Sequence, residues 1–168
     1  MKLKIVAEDK YKPQYANDTD ACMDLKARVQ LQPEEMKSRG YSCKGMTQEC
    51  IDRENSLYIL PGEVRKIPSG VQAAIPEGYV MKMYVRSSTG IKKNLMLANG
   101  TGIIDAGYRD EIIMALYNFG REPVRVEDGD RICQFVLLPF PKVEIEQVAD
   151  NDEFRHGDRG GGIGSTGQ

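Results

Sequence analysis

Residues 103–112 read Ile-Ile-Asp-Ala-Gly-Tyr-Arg-Asp-Glu-Ile and concentrate more potential chemistry than any other stretch of the chain. One carboxylate, Asp105, falls in a turn sequence, because Asp bonds its own backbone and Gly107 tolerates positive φ. Tyr108 follows three residues later. The flanks, Thr-Gly-Ile-Ile and Glu-Ile-Ile-Met, read as strands, so the segment is expected to be a hairpin. A hairpin of this kind brings backbone amides, a carboxylate and an aromatic face to one small space. That combination suits a planar base and a sugar held beside a general base.

Three other segments suit an anion. Arg86-Ser87-Ser88-Thr89-Gly90 is expected at a strand-to-helix junction, with Ser87 as N-cap of a short helix reaching about Asn94. Free N–H groups and a positive dipole end would face an anion there, and Arg86 adds a fork that fits phosphate. A plain N-cap beside a surface arginine would look the same. Gly129-Asp130-Arg131-Ile132-Cys133-Gln134 opens a strand after an acidic turn. Gln134 can donate to a phosphate oxygen, while Cys133 alternates with it and is expected to face the core as a small apolar residue. In purely structural terms, Gly129-Asp130 is a turn and Arg131 a surface ion-pair partner. The tail from Asp158 to Gly167 has a backbone free enough to fold over phosphates, with Arg159 for charge and Ser165 and Thr166 for hydroxyls. A disordered linker has the same composition. Against that reading stands the coincidence of three anion-suited segments with the Asp105 turn in one small chain.

The elements that must position these residues read as β. At 168 residues the chain is expected to be one domain with a real core. Its 17 glycines and 8 prolines separate short apolar runs, as in a turn-rich β protein. Strands are expected over 1–8, 24–31, 57–60, 64–67, 71–75, 79–85, 95–98, 102–104, 111–118, 123–126, 132–139 and 143–148. Pro61-Gly62 and Pro76-Glu77-Gly78 mark a turn and a hairpin loop. Their short, regular spacing favours an antiparallel barrel or jelly roll over alternating strands and helices. Residues 1–148 are thus expected to form one all-β, jelly-roll-like barrel with one short helix. A charged insertion at about 33–56, part helical, would interrupt it, and 149–168 would be a flexible Gly-rich arm. A net charge of −2 and a pI of about 5.6 give no electrostatic case for nucleic acid. No apolar run approaches a membrane span, and the N-terminus lacks a signal-peptide core. The four cysteines lack metal-site spacing and there is one histidine, so reduced thiols in a cytoplasmic protein (host cytoplasm, were it viral) are expected rather than zinc.

Taken in order, these segments resemble the trimeric deoxyuridine triphosphatase (dUTPase) family, part of the dUTPase and dCTP deaminase superfamily, whose five motifs span nearly the whole chain. Asp20-Ala21-Cys22-Met23-Asp24-Leu25 is similar to the first, with Cys22 where glycine is usual. Arg86 to Gly90 resembles the second, after Val85 rather than proline. Residues 99–112 resemble the third, Gly129 to Gln134 the fourth with Cys133 for alanine, and Gly161 to Gly167 the fifth with Ile163 for the aromatic. Residues 33–56 have no counterpart in the motif pattern.

The resemblance implies a jelly-roll homotrimer with active sites shared between subunits. It implies hydrolysis of dUTP to dUMP and pyrophosphate, which limits uracil in DNA and supplies dUMP for dTMP synthesis. Asp105 would be the catalytic base acting on a water at the α-phosphorus. An ordinary aspartate, with a pKa of about 3.9, is ionised at neutral pH, so this role asks for proximity rather than a raised pKa. Tyr108 would stack on deoxyribose and leave no room for a 2′-hydroxyl. Asn99 and the backbone through Ile103 and Ile104 would read the uracil edge in a hairpin too tight for thymine's methyl group. Ser87, Ser88 and Gln134 would donate to the phosphates, and Arg86 would add charge. Ile163, Gly164 and Ser165 would contact substrate as the arm closes. Mg²⁺ would ride mainly on the triphosphate, with Asp24 near its water shell or helping to order the site.

Two departures from the family pattern matter. Ile163 can cover the base only by apolar contact, which weakens closure by about 1 kcal/mol. The family's arginine in the fifth motif falls on Asp158, so Arg159 through a shorter loop, or else Arg155, would reach the γ-phosphate. Three rival readings follow. A dCTP deaminase would need a glutamate where this chain has Ala115. A regulatory dUTP-binding protein would signal to a partner protein through the 33–56 insertion. A structural β-barrel would need five ordered matches by chance.

Overall fold

In the computed structural model, residues 1–29, 56–151 and 154–157 are described. Along them run β1 (Lys4–Ala7), β2 (Gln14–Tyr15), β3 (Met23–Lys26), β4 (Ser56–Ile59), β5 (Val64–Ala74) and β6 (Tyr79–Val85). After the short helix α1 (Ser87–Ile91) come β7 (Leu95–Leu97), β8 (Gly102–Ile104), β9 (Glu111–Asn118), β10 (Val124–Glu127) and β11 (Arg131–Pro139). Strand alternation builds the core directly. In β9, Ile112, Met114 and Leu116 point one way and are buried, while Ile113, Ala115 and Tyr117 point the other.

Two antiparallel sheets share that core. One has the order β1-β5-β9-β7 and the other β2-β3-β11-β6-β8, with a separate β10-β4 pair. Leu25, Ile67, Met81, Leu97 and Phe135 fill the space between, as expected of a jelly-roll-like sandwich. Cys133 is fully buried, as its alternation with Gln134 predicts.

Several expectations need correction. The Asp105 segment is not a hairpin. β8 pairs with β6 in the five-stranded sheet, while β9 pairs with β5 and β7 in the other, so the chain changes sheets at this turn. The Pro76-Glu77-Gly78 loop likewise joins β5 to β6 across the sandwich. Turn residues report that the chain reverses; which strand it then pairs with is set by distant packing. The runs 64–67 and 71–75 are one strand with a register shift between Pro68 and Gln72. The strand expected over 24–31 stops at Lys26, beyond which Ala27 N–H donates to Asp130, Arg28 N–H to Pro68 and Val29 N–H to Asp128.

The strand expected over 143–148 is absent. Its apolar residues, Val143, Ile145 and Val148, stand exposed without a ladder partner among the described residues. In α1 the N-cap is Arg86 rather than Ser87, and the helix ends at Ile91, with Asn94 beyond it at φ 53°. Five residues make little more than one turn, which leaves little macrodipole to act on an anion. The insertion, with Cys43 and Cys50, lies outside the described residues apart from its last residue, Ser56, which opens β4. Arg159, Ile163, Gly164 and Ser165 of the arm also lie outside them. Among the described residues no helix is long and apolar enough to cross a membrane.

Candidate active site

At the end of β8 the chain turns tightly. Tyr108 N–H donates to the Asp105 carbonyl at 3.1 Å. The Arg109 guanidinium donates to the carbonyls of Ala106 and, at 2.8 Å, Tyr108. Side-chain donors therefore satisfy the turn that no ladder reaches. Gly107 does not take the left-handed φ expected of it, whereas Gly100, one turn upstream, does at φ 72°.

The turn walls a cavity of about 230 Å³ that gathers Asn99, Ile103, Ile104, Asp105 and Tyr108 around Gly102, Met83 and Ile112. A Cβ on Gly102 would come within 2.7 Å of Met83 Cε and 3.1 Å of its Cβ, so a side chain here would crowd the floor. Apolar walls, a phenol ring and the Asn99 side-chain amide make a slot suited to a flat, polar-edged ring. Asp105 is exposed at its edge. Tyr108 Oη donates to the Glu111 carbonyl at 2.8 Å, which fixes the ring.

The anion-suited residues gather elsewhere. Asp24 on β3 faces Gln134 on β11 in register. The buried Asp24 carboxylate accepts Arg86 Nε at 2.9 Å and Arg131 Nη1 at 3.1 Å. Two guanidiniums thus converge on one carboxylate beside the Gln134 amide. Arg86, Asp24 and Gln134 line a second cavity of about 270 Å³ with Asp20 and Cys22. Burial, and then Asp20 and Asp24, push the Cys22 thiol pKa up, so it lines the wall as a neutral thiol. Ser87 and Ser88 are exposed at the start of α1. The two cavities share no lining residue: Asp105 lies in one, Arg86 and Gln134 in the other.

Asp24 therefore has the contacts of an ordering residue. Among the described residues no group of three His, Cys, Asp or Glu could hold a metal ion. A divalent ion here would take its oxygens from a bound phosphate chain, which suits the few-ligand habit of Mg²⁺. Arg155, the alternative to Arg159, forms a two-pronged ion pair with Asp150 at 2.5 Å. Sequence reasoning gave no role to Arg109, Arg28 or Glu111. Arg109 and Glu111 lay inside the highlighted run, but nothing local marks Arg28, whose partner is 83 residues away.

Comparison with known proteins bears on the family of the chain. A dUTPase family model matches residues 51–167. A deoxyuridine 5'-triphosphate nucleotidohydrolase of Clostridium tetani is 35% identical over 168 residues, covering 100% of this chain and 97% of that protein. One from Desulfitobacterium hafniense is 44% identical over 121 residues, 71% of this chain and 78% of its own. A solved dUTPase from phage phi11 of S. aureus, described for its coordination of a structural Mg(II) ion, has a TM-score of 0.68 at 20% identity, covering 90% of this chain and 99% of its own. That last likeness carries the fold alone. With the family model matching over most of its length and a relative aligned from end to end, the chain belongs to the dUTPase family.

Proposed function

We propose that the chain hydrolyses dUTP to dUMP and pyrophosphate by attack of water at the α-phosphorus. The observation that carries this reading is the meeting of Asn99, Asp105 and Tyr108 in one base-sized cavity. Uracil would enter against Met83 and Ile112, its edge bonded by Asn99 and the 99–104 backbone. The deoxyribose would rest on Tyr108. Asp105 would orient a water and take its proton as the water oxygen bonds to phosphorus and the bridging oxygen of pyrophosphate leaves. Gln134, Ser87 and Ser88 would donate to the phosphates, with Arg86 and Arg131 supplying charge. Arg159 would reach the γ-phosphate and Ile163, Gly164 and Ser165 would cover the substrate. Mg²⁺ bound to the triphosphate would neutralise charge, and Asp24 would hold the arginines in place.

A homotrimer accounts for the separation of the two cavities, since one subunit's Asp105 turn can face another's Arg86 and Gln134. It also accounts for an apolar row across one sheet: Val64, Tyr117 and Met96 are register neighbours on the outward face, Val64 and Met96 being exposed. Cys22 and Cys133 are free thiols, in keeping with a reducing cytoplasm, host cytoplasm included.

Pyrophosphate release from dUTP tests the reading. Wild type should turn over dUTP, and Asp105→Asn should lose on the order of 10²–10⁴-fold in kcat while still binding. Tight dUTP binding by wild type without turnover would leave the regulatory reading instead. Among the residues lining the base cavity Asp105 is the one carboxylate, with Ala115 where a deaminase would need a proton carrier. Ammonia release from dCTP would reverse that.

A further inference from the structure

Beside the Asp105 turn lies a polar cluster that the roles above leave unused. Glu111 opens β9, and its carboxylate accepts Arg28 Nε at 2.9 Å, Arg28 Nη2 at 2.5 Å and Gly70 N–H at 2.6 Å. Its main-chain carbonyl accepts Tyr108 Oη at 2.8 Å. Gly70 lies where the β5–β9 ladder is interrupted, between the pairs Pro68–Ile113 and Gln72–Glu111. It takes φ +72°, and a Cβ there would lie 2.7 Å from the Tyr11 ring. The irregularity frees the Gly70 amide from the ladder to meet Glu111. Tyr11 is itself anchored, donating to Asp128 at 2.9 Å.

We propose that Glu111, clamped by Arg28 and Gly70, is a positioning residue that fixes the Tyr108 ring and thereby sets the preference for deoxyribose over ribose. This rests on the dUTP reading above. A ring that is 38% exposed would otherwise sample several orientations. Bonding its hydroxyl to a carbonyl whose own residue is held by a bidentate guanidinium and an amide removes that freedom. A ring that swings away opens room for a 2′-hydroxyl. A cluster that only joined strands would change stability and leave sugar preference alone.

The test compares kcat/KM for dUTP and UTP in wild type, Glu111→Ala, Glu111→Gln, Arg28→Ala and Arg28→Lys. Glu111→Ala should lower the dUTP-to-UTP ratio on the order of tenfold, mainly by raising KM for dUTP, with kcat little changed. Arg28→Ala should move the ratio the same way, and the double variant should fall no further than Glu111→Ala. Glu111→Gln, which keeps an acceptor for Gly70 N–H, should recover most of the loss. An unchanged ratio with a lowered Tm would overturn the proposal. So would a crystal structure of Glu111→Ala with the Tyr108 ring in its original place. Should Glu111→Ala fail to fold, Arg28→Lys, which keeps the charge without the fork, reads the same ratio. A wild type that leaves dUTP intact would sink the substrate reading, and the crystallographic position of Tyr108 would still decide the clamp.

Discussion

Three carboxylates of this chain do different work because their surroundings differ. Asp105 is exposed, and its carboxylate has no hydrogen-bond partner among the described residues, as suits a base that must meet a water. Asp24 is buried and spent on two arginines. Asp24→Ala would leave those guanidiniums unpaired. Because both reach solvent, the cost should be about 1–3 kcal/mol rather than that of a fully buried break, read as a lower urea midpoint. Glu111 is half-buried. Burial pushes its carboxyl up, but the Arg28 fork and the Gly70 amide outweigh this and the net shift is downward from 4.5. A folded value below the unfolded one means stabilisation that is complete above the unfolded pKa and lost as pH falls through the folded pKa. The stability gap between wild type and Glu111→Gln should therefore narrow from about pH 5 to about pH 3. A gap that stays constant over that range contradicts the assignment. Burial alone raises the Cys133 thiol to about 12, so of the two cysteines among the described residues Cys22 should react with iodoacetamide ahead of Cys133 in the native protein.

Among the elements, glycines at turns and at the β5 irregularity decide geometry, and their neighbours decide how much. Gly62 and Gly70 take similar φ, 76° and 72°, but a Cβ on Gly62 meets nothing within 4 Å while one on Gly70 meets Tyr11 at 2.7 Å. Gly62→Ala should cost about 1 kcal/mol, the left-handed penalty alone, and Gly70→Ala about 2–4 kcal/mol, since the buried ring must also move. Equal urea midpoints for the two variants would refute the difference. The same contrast shows what sequence can carry. Alternation located 79–85, 102–104 and 111–118 as strands to the residue, because the period is written in the strand itself. It also placed Cys133 inward. Pairing is not written there: the Asp105 turn has every local mark of a hairpin, yet its flanks join different sheets. Residues 143–146 alternate as a strand would and have no ladder partner among the described residues, so pattern alone did not make one. Asn99, Asp105 and Tyr108 were found together because they are close in sequence. The Arg28–Glu111 pair was missed because only the fold brings it together.

For the whole molecule, the separation of base cavity from cation cavity turns assembly into a question about catalysis. Within one chain the two cavities share no lining residue, an arrangement that a site divided between subunits would join. In a closed ring of three copies every subunit can offer its Asp105 turn to one neighbour and its Arg86–Gln134 face to the other. Two inactive variants should then rescue each other. Asp105→Asn keeps the cation cavity and Arg86→Gln keeps the base. Co-refolded in equal amounts, they combine at random, and a site works only when its base comes from one variant and its arginine from the other. About a quarter of sites meet both conditions, so dUTP turnover should return to roughly a quarter of wild type. Glutamates at Val64 and Met96 on the exposed row should abolish both the trimer in sedimentation and this rescue. Mixtures no more active than their parents, or full turnover from a sedimenting monomer, would place both halves of the site in a single chain.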